Sequence, residues 1–302
     1  MSDRMVRRTF FKAAFVDPAQ AFLVRLAILL FRALPLDNAS AFGGWLVRKV
    51  GPMLKQHRIA LNNLRKAFPE KTDDEIARIA DAMWDNLGRT AGEYPHLDRF
   101  DVYNDKERFE TRGGHNIRAL RDDGICGIFF SGHIGNWEIV SLAATQQGVP
   151  LTRIFRAPNN RSMNWLFENG RQAVAGDLVP KGSEGAKAAM KALRDGGHLG
   201  MLVDQKMNDG IEARLFGRPA MTAPALALFA LKFRCPVVPA RVTRLDGAHF
   251  RIDIEDPLVP PEPSGDRHTD ILAFTQAVND RLEAWIRETP EQWLWVHRRW
   301  PD

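Results

Sequence analysis

From residue 124 onward the chain alternates short apolar runs with stretches of helical length, and this alternation narrows its possible folds more than any other feature. Ile125–Phe130, Leu151–Arg156, Leu199–Val203 and Pro236–Val242 have the length of strands. His249–Ile254 adds a strand with alternating apolar positions. Helical stretches fall between them at about 137–147, 160–170, 183–195 and 223–233. A last helix runs from about Asp270 to Arg287, after a proline-rich loop at 257–263. Continuous apolar strands need helices on both faces of their sheet. The pattern therefore predicts a single α/β domain with a mixed central sheet flanked by helices, covering residues 61–302.

Upstream the texture is helical. Residues 39–67 read as helices broken at Gly51-Pro52. Thr72-Asp-Asp-Glu75 has the spacing of a capping box and opens a helix expected to reach about Gly88. No repeats or low-complexity tracts interrupt the 302 residues. With 45% apolar and 26% charged residues, the composition is that of a globular chain and not of a disordered one. Cys126 and Cys235 are the only cysteines, which excludes a disulfide scaffold and a cysteine-rich zinc site.

The net charge of +5 is concentrated at the N-terminus. Residues 1–58 carry ten Lys/Arg against three acids, a net +7, and the remainder is slightly acidic. Within this segment Arg25 and Arg32 bracket the run Leu26–Phe31. The run is too short to span a bilayer. The two arginines lie seven apart on one helical face, and the rest of the helix is apolar. This reads as an interfacial helix lying on an anionic membrane surface, and residues 1–60 are assigned as a membrane-associating helical portion. The competing reading packs the helix on its own domain with both arginines in water. A nucleic-acid partner is disfavoured, because the bases are interleaved with long aliphatic side chains.

The segment Ser131-Gly-His133-Ile-Gly-Asn-Trp-Glu138 follows the first apolar strand and precedes a helix. Ligands collect at the carboxyl ends of strands in such sheets. On a continuous helix His133 and Glu138 would diverge by about 140°. With His133 in the turn and Glu138 in the first helical turn, they can meet. A carboxylate on one imidazole nitrogen fixes the tautomer and makes the other nitrogen a base, here for a substrate hydroxyl. Backbone amides at the turn are candidate anion donors. Ser131 is not in a Gly-x-Ser-x-Gly elbow, which speaks against a serine hydrolase. A non-enzymatic lipid-binding protein is the remaining class.

The string resembles the His-x4-Asp/Glu motif of the glycerolipid acyltransferase superfamily. More closely, Gly132–Glu138 resembles the Gly-His-x-Gly-Asn-Trp-Glu form of the late acyltransferases of lipid A biosynthesis. Further blocks resemble that family in the same order: Arg156-Ala-Pro-Asn159, Asn169-Gly-Arg171, Val203-Asp204-Gln205-Lys206, Phe216-Gly-Arg-Pro-Ala-Met-Thr222, Pro236-Val-Val-Pro239 and Gln292-Trp-Leu-Trp-Val-His-Arg-Arg299.

The resemblance implies transfer of a fatty acyl chain from an acyl-carrier-protein thioester to a hydroxyl of a lipid A precursor, at the cytoplasmic face of an inner membrane. His133 would be the general base and Glu138 its orienting partner. Arg171 is the candidate for acceptor phosphate, with Arg156 as a further one. Asp204, after an apolar strand, is expected to act or to be paired, with Arg171 as a candidate partner, and is grouped with the substrate-binding residues. No cofactor and no metal are expected. Lys49, Lys55 and Arg58 are candidates for steering the acidic carrier protein. Thr222 reads as a helix N-cap. Trp293, Trp295 and Trp300 read either as core or as an interfacial belt. His297-Arg298-Arg299 reads as phosphate contacts or a solvated face. The same chemistry on a lysophospholipid, glycolipid or aminolipid is the alternative.

Overall fold

The computed structural model describes residues 17–155, 160, 162, 165 and 174–300. Its centre is a seven-stranded mixed sheet in the order β1-β9-β8-β2-β5-β3-β4. The strands are β1 Phe109–Arg112, β2 Gly127–Ser131, β3 Leu151–Phe155, β4 Leu178–Pro180, β5 His198–Leu202, β8 Val237–Asp246 and β9 His249–Ile254. All neighbouring pairs are parallel except β8–β9. β2 is central and buried at all its positions, as its unbroken Ile-Phe-Phe run requires. It pairs with β5 from Gly127↔His198 to Ser131↔Leu202, so both strands end side by side. A separate antiparallel hairpin joins β6 Lys206–Leu215 to β7 Arg218–Thr222.

Nine helices are described. α1 Asp17–Ala33, α2 Leu36–Val50, α3 Lys55–Ala67 and α4 Asp73–Glu93 precede the sheet. α5 Gly114–Asp122, α6 Glu138–Gln146, α7 Ser183–Arg194, α8 Ala225–Phe233 and α9 Arg267–Glu288 connect or follow its strands. Every strand expected from the apolar runs is present. The expected helix at 160–170 lies almost wholly outside the described residues. β1, β4 and the β6–β7 hairpin had no clear signal. β1 and β4 are short strands at the two edges of the sheet, and β6 is mostly polar.

The capping box at α4 forms as expected: the Glu75 N–H donates to Thr72 Oγ1 and the Thr72 N–H to Glu75 Oε2. α4 continues past Gly88 to Glu93, and its glycines Gly88 and Gly92 face the backbone of α2. A Cβ on Gly88 would lie 2.2 Å from the Gly43 carbonyl oxygen, and one on Gly92 would lie 2.3 Å from that of Ala39. α2 and α4 thus touch backbone to backbone.

The arginines of α1 have partners within the protein that neither sequence reading gave them. Arg32 donates to the Pro95 carbonyl and forms a two-pronged pair with Asp98, both on the 3-10 helix Tyr94–Arg99. Arg25 lies over the Trp165 ring. Arg32 is thus held against the protein, and Arg25 stays exposed beside an aromatic ring. Phe22, Leu23, Leu26, Leu29 and Leu30 face outward instead. Phe31 touches Phe42 and Phe42 stacks on Trp45, which joins this surface to the exposed apolar side of α2. Met53, in the turn after α2, is 83% exposed. Among the described residues no helix is long and apolar enough to cross a membrane.

Candidate active site

The turn after β2 is held from three sides. Gly135 has φ 58°, and a Cβ there would meet the Val242 carbonyl oxygen at 2.3 Å, so only glycine fits. The Gly135 N–H donates to the Gln292 carbonyl, and the Leu294 N–H to the His133 carbonyl. From α4, Asn86 and Thr90 both donate to the Gly135 carbonyl. Asn136 donates to Glu93, a fully buried carboxylate that also accepts from Ser40 and both arms of Arg244.

This scaffold sets His133 against Asp204, which follows β5. His133 Nδ1 lies 2.8 Å from Asp204 Oδ1, and the His133 backbone N–H donates to Oδ2 at 2.9 Å. The Trp293 indole N–H donates to the same oxygen at 2.7 Å. The sequence reading gave the imidazole to Glu138, whereas the structure sets Asp204 on its Nδ1; the reading of Asp204 with Arg171 falls on a residue outside the described ones. Asp204 reaches His133 because β2 and β5 are neighbours ending at the same level. Arg171 and Arg156 lie outside the described residues.

Glu138, the first residue of α6, accepts from the indole N–H of Trp137 at 3.2 Å. It faces a cavity of about 140 Å³ lined mainly by apolar groups, among them Phe129, Val140, Leu151 and Met201, with Arg153 also at the wall. Burial raises the Glu138 pKa, against the opposing charges of Arg153 and His133. For His133, burial alone would lower the pKa. The Asp204 charge, its hydrogen bond and the more distant Glu138 outweigh burial and raise it above the ordinary imidazole value. Burial pushes Asp204 up, but the imidazole and its three donors hold it well below the usual carboxylate range.

The other imidazole nitrogen faces Gln205, whose Nε2 lies 3.4 Å from His133 Nε2 and 3.2 Å from His297 Nε2. Trp137 packs edge-on against the His133 ring at 5.0 Å. The arrangement is an imidazole with its Nδ1 proton fixed by a carboxylate and its Nε2 lone pair turned toward a polar cleft. Such an arrangement can act chemically as a general base toward a hydroxyl. Ser131 is buried and donates to the Gly132 carbonyl, so it is not the partner of this base. Among the described residues no group of three or more His, Cys, Asp or Glu is placed to hold a metal.

Residues 8–302 match the family of bacterial lipid A biosynthesis acyltransferases. The chain belongs to this family. It is an acyltransferase, and its mixed sheet with flanking helices carries the motif of that family. It is 22% identical to the lipid A biosynthesis acyltransferase of Haemophilus influenzae over 91% of this chain and 84% of the relative. It is 23% identical to the lipid A biosynthesis myristoyltransferase of Escherichia coli over 97% of this chain and 88% of the relative. The phosphatidylinositol mannoside acyltransferase of Mycolicibacterium smegmatis is also 23% identical, over 90% of this chain and 88% of the relative.

Several residues around His133 carried other readings or none. Trp293, Gln205, His297 and Trp137 all approach the His133–Asp204 pair, and the family blocks that contain them were the available signal. Trp293, Trp295 and Trp300 are buried and form no interfacial belt. Thr222 caps no helix: it ends β7, where it donates to the Ala220 carbonyl and accepts from Arg299 and Asn279. Arg299 is itself buried and therefore unavailable to a phosphate.

Proposed function

We propose that the enzyme transfers a fatty acyl chain from an acyl-carrier-protein thioester to a hydroxyl of a lipid A precursor. The observation that carries this reading is the His133–Asp204 pair set within the family's motif. His133 Nε2 takes the hydroxyl proton as the oxygen attacks the thioester carbonyl. Asp204 holds the tautomer and balances the imidazolium. Glu138 adds a second negative charge to the field around the ring and borders the apolar cavity. Cavities of about this size admit benzene-sized ligands, so it takes only a segment of an acyl chain. Arg171 and Arg156 are proposed for the acceptor's phosphates.

The outward leucines of α1 and the exposed aromatics of α2 support docking on the cytoplasmic face of the inner membrane as a peripheral or monotopic protein. Residues 1–60 supply that contact and residues 61–302 the catalysis. Exposed Lys49, Lys55 and Arg58 favour an acidic carrier protein or anionic lipid. A second reading keeps the chemistry and changes the acceptor to another membrane glycolipid. The mannoside acyltransferase among the relatives favours it. A membrane assay with labelled acyl-carrier-protein donors and a tetra-acylated lipid A precursor separates the two. Wild type should transfer label and His133→Ala should not. Label passing to a different glycolipid alone would select the second reading.

A further inference from the structure

Attack on a thioester builds negative charge on the carbonyl oxygen, and a donor must meet it. The catalytic turn has few donors left to offer. The N–H groups of His133, Ile134 and Gly135 go to Asp204, the Gly132 carbonyl and the Gln292 carbonyl. The indole N–H groups of Trp137 and Trp293 go to Glu138 and Asp204. Three of the backbone amides that the sequence offered for anion binding, those of His133, Ile134 and Gly135, are thus occupied.

Gln205 is differently placed. It follows Asp204 directly, and its amide nitrogen sits between His133 Nε2 and His297 Nε2. Asp204 on Nδ1 keeps the proton there and makes His133 Nε2 an acceptor. The amide must then present its NH2 and not its carbonyl oxygen to the ring. The position it covers is the one an acceptor hydroxyl must take.

We infer that Gln205 is a catalytic residue, whose side-chain N–H leaves His133 Nε2 when the hydroxyl arrives and donates to the thioester oxyanion. This rests on the acyl-transfer reading. A hydroxyl bonded to Nε2 stands about 3 Å from the carbonyl carbon in a near-attack geometry. An amide nitrogen 3.4 Å from Nε2 needs only a small side-chain rotation to reach the carbonyl oxygen. His297 anchors the second amide hydrogen and limits that rotation. In the step, the hydroxyl oxygen bonds to the carbonyl carbon, its proton passes to Nε2 and the π pair moves to the oxygen facing Gln205. Collapse restores the carbonyl and breaks the C–S bond, and the proton on Nε2 goes to the leaving sulfur.

The test uses the full chain in membranes with an acyl-pantetheine thioester. Wild type, His133→Ala, Gln205→Ala and Gln205→Glu are compared in transfer to the lipid acceptor and in acceptor-free thioester hydrolysis. Gln205→Ala should lower kcat about 10²–10³-fold in both reactions, with KM for the thioester within about threefold. Gln205→Glu, of the same shape without the N–H, should be at least as slow. Turnover of Gln205→Ala near wild type, or a loss confined to KM, overturns the assignment. If Gln205→Ala does not fold, Gln205→Glu decides alone, and near-normal turnover overturns it. Wild type that hydrolyses the thioester but acylates no lipid would sink the acceptor reading and leave the Gln205 comparison intact. Wild type that does neither removes both.

Discussion

Asp204 decides what His133 can do. In the proposed mechanism the neutral imidazole is the base, and its pKa is lifted by the carboxylates Asp204 and Glu138. The rate should therefore rise with pH through a midpoint above the ordinary imidazole value of about 6.5. Asp204→Asn removes the main lifting charge and frees the tautomer. We expect the midpoint to move down and kcat to fall about 10³-fold or more, read from pH–rate profiles of both proteins. An unmoved midpoint would contradict the pairing. Glu138→Gln should shift the midpoint the same way by less, because no hydrogen bond to the ring is lost. His133 and Glu138 were legible because they share one turn and one motif. The role of Asp204 was not, because 71 residues separate it from His133 and only the pairing of β2 with β5 closes that gap. The sequence placed the acid correctly at a strand end but had no means of choosing its partner.

At the scale of elements, α1 shows how far periodicity reaches. The pattern of Arg25, Arg32 and the intervening apolar residues established two faces. It did not tell which face turned to the protein, since that depends on the Pro95 carbonyl, Asp98 and Trp165, all distant in the chain. With Arg32 tied to the protein and the leucines exposed, the proposed membrane contact of α1 would use its aliphatic side. Charging that side should abolish the contact. The variant Phe22→Glu/Leu29→Glu/Leu30→Glu should bind anionic lipid vesicles at least about tenfold more weakly in cosedimentation. It should keep its melting temperature, because those side chains touch little protein. Equal binding would place the lipid contact elsewhere. The strands that were missed have a different cause. Edge and hairpin strands bury one face at most, so they carry no continuous apolar run.

For the whole molecule, the buried Glu93–Arg244 pair is a junction. Through Ser40, Asn86, Thr90 and Asn136 it links α2, α4, β8 and the catalytic turn. Removing one partner leaves a buried charge unpaired, so Glu93→Ala should cost about 3–5 kcal/mol in denaturant unfolding. A loss below about 1 kcal/mol would show that the junction relaxes or hydrates. None of these links was readable beforehand, because each joins elements that meet only after the sheet closes. The same long-range construction bears on synthesis. His133 and Asp204 leave the ribosome well before Trp293, Leu294 and His297, the residues that brace the turn, the acid and Gln205. A nascent chain that has emerged only through β9 holds the base and its carboxylate without their clamp. If the site works on thioesters as proposed, a chain cut short after β9 should therefore be inactive even where it folds.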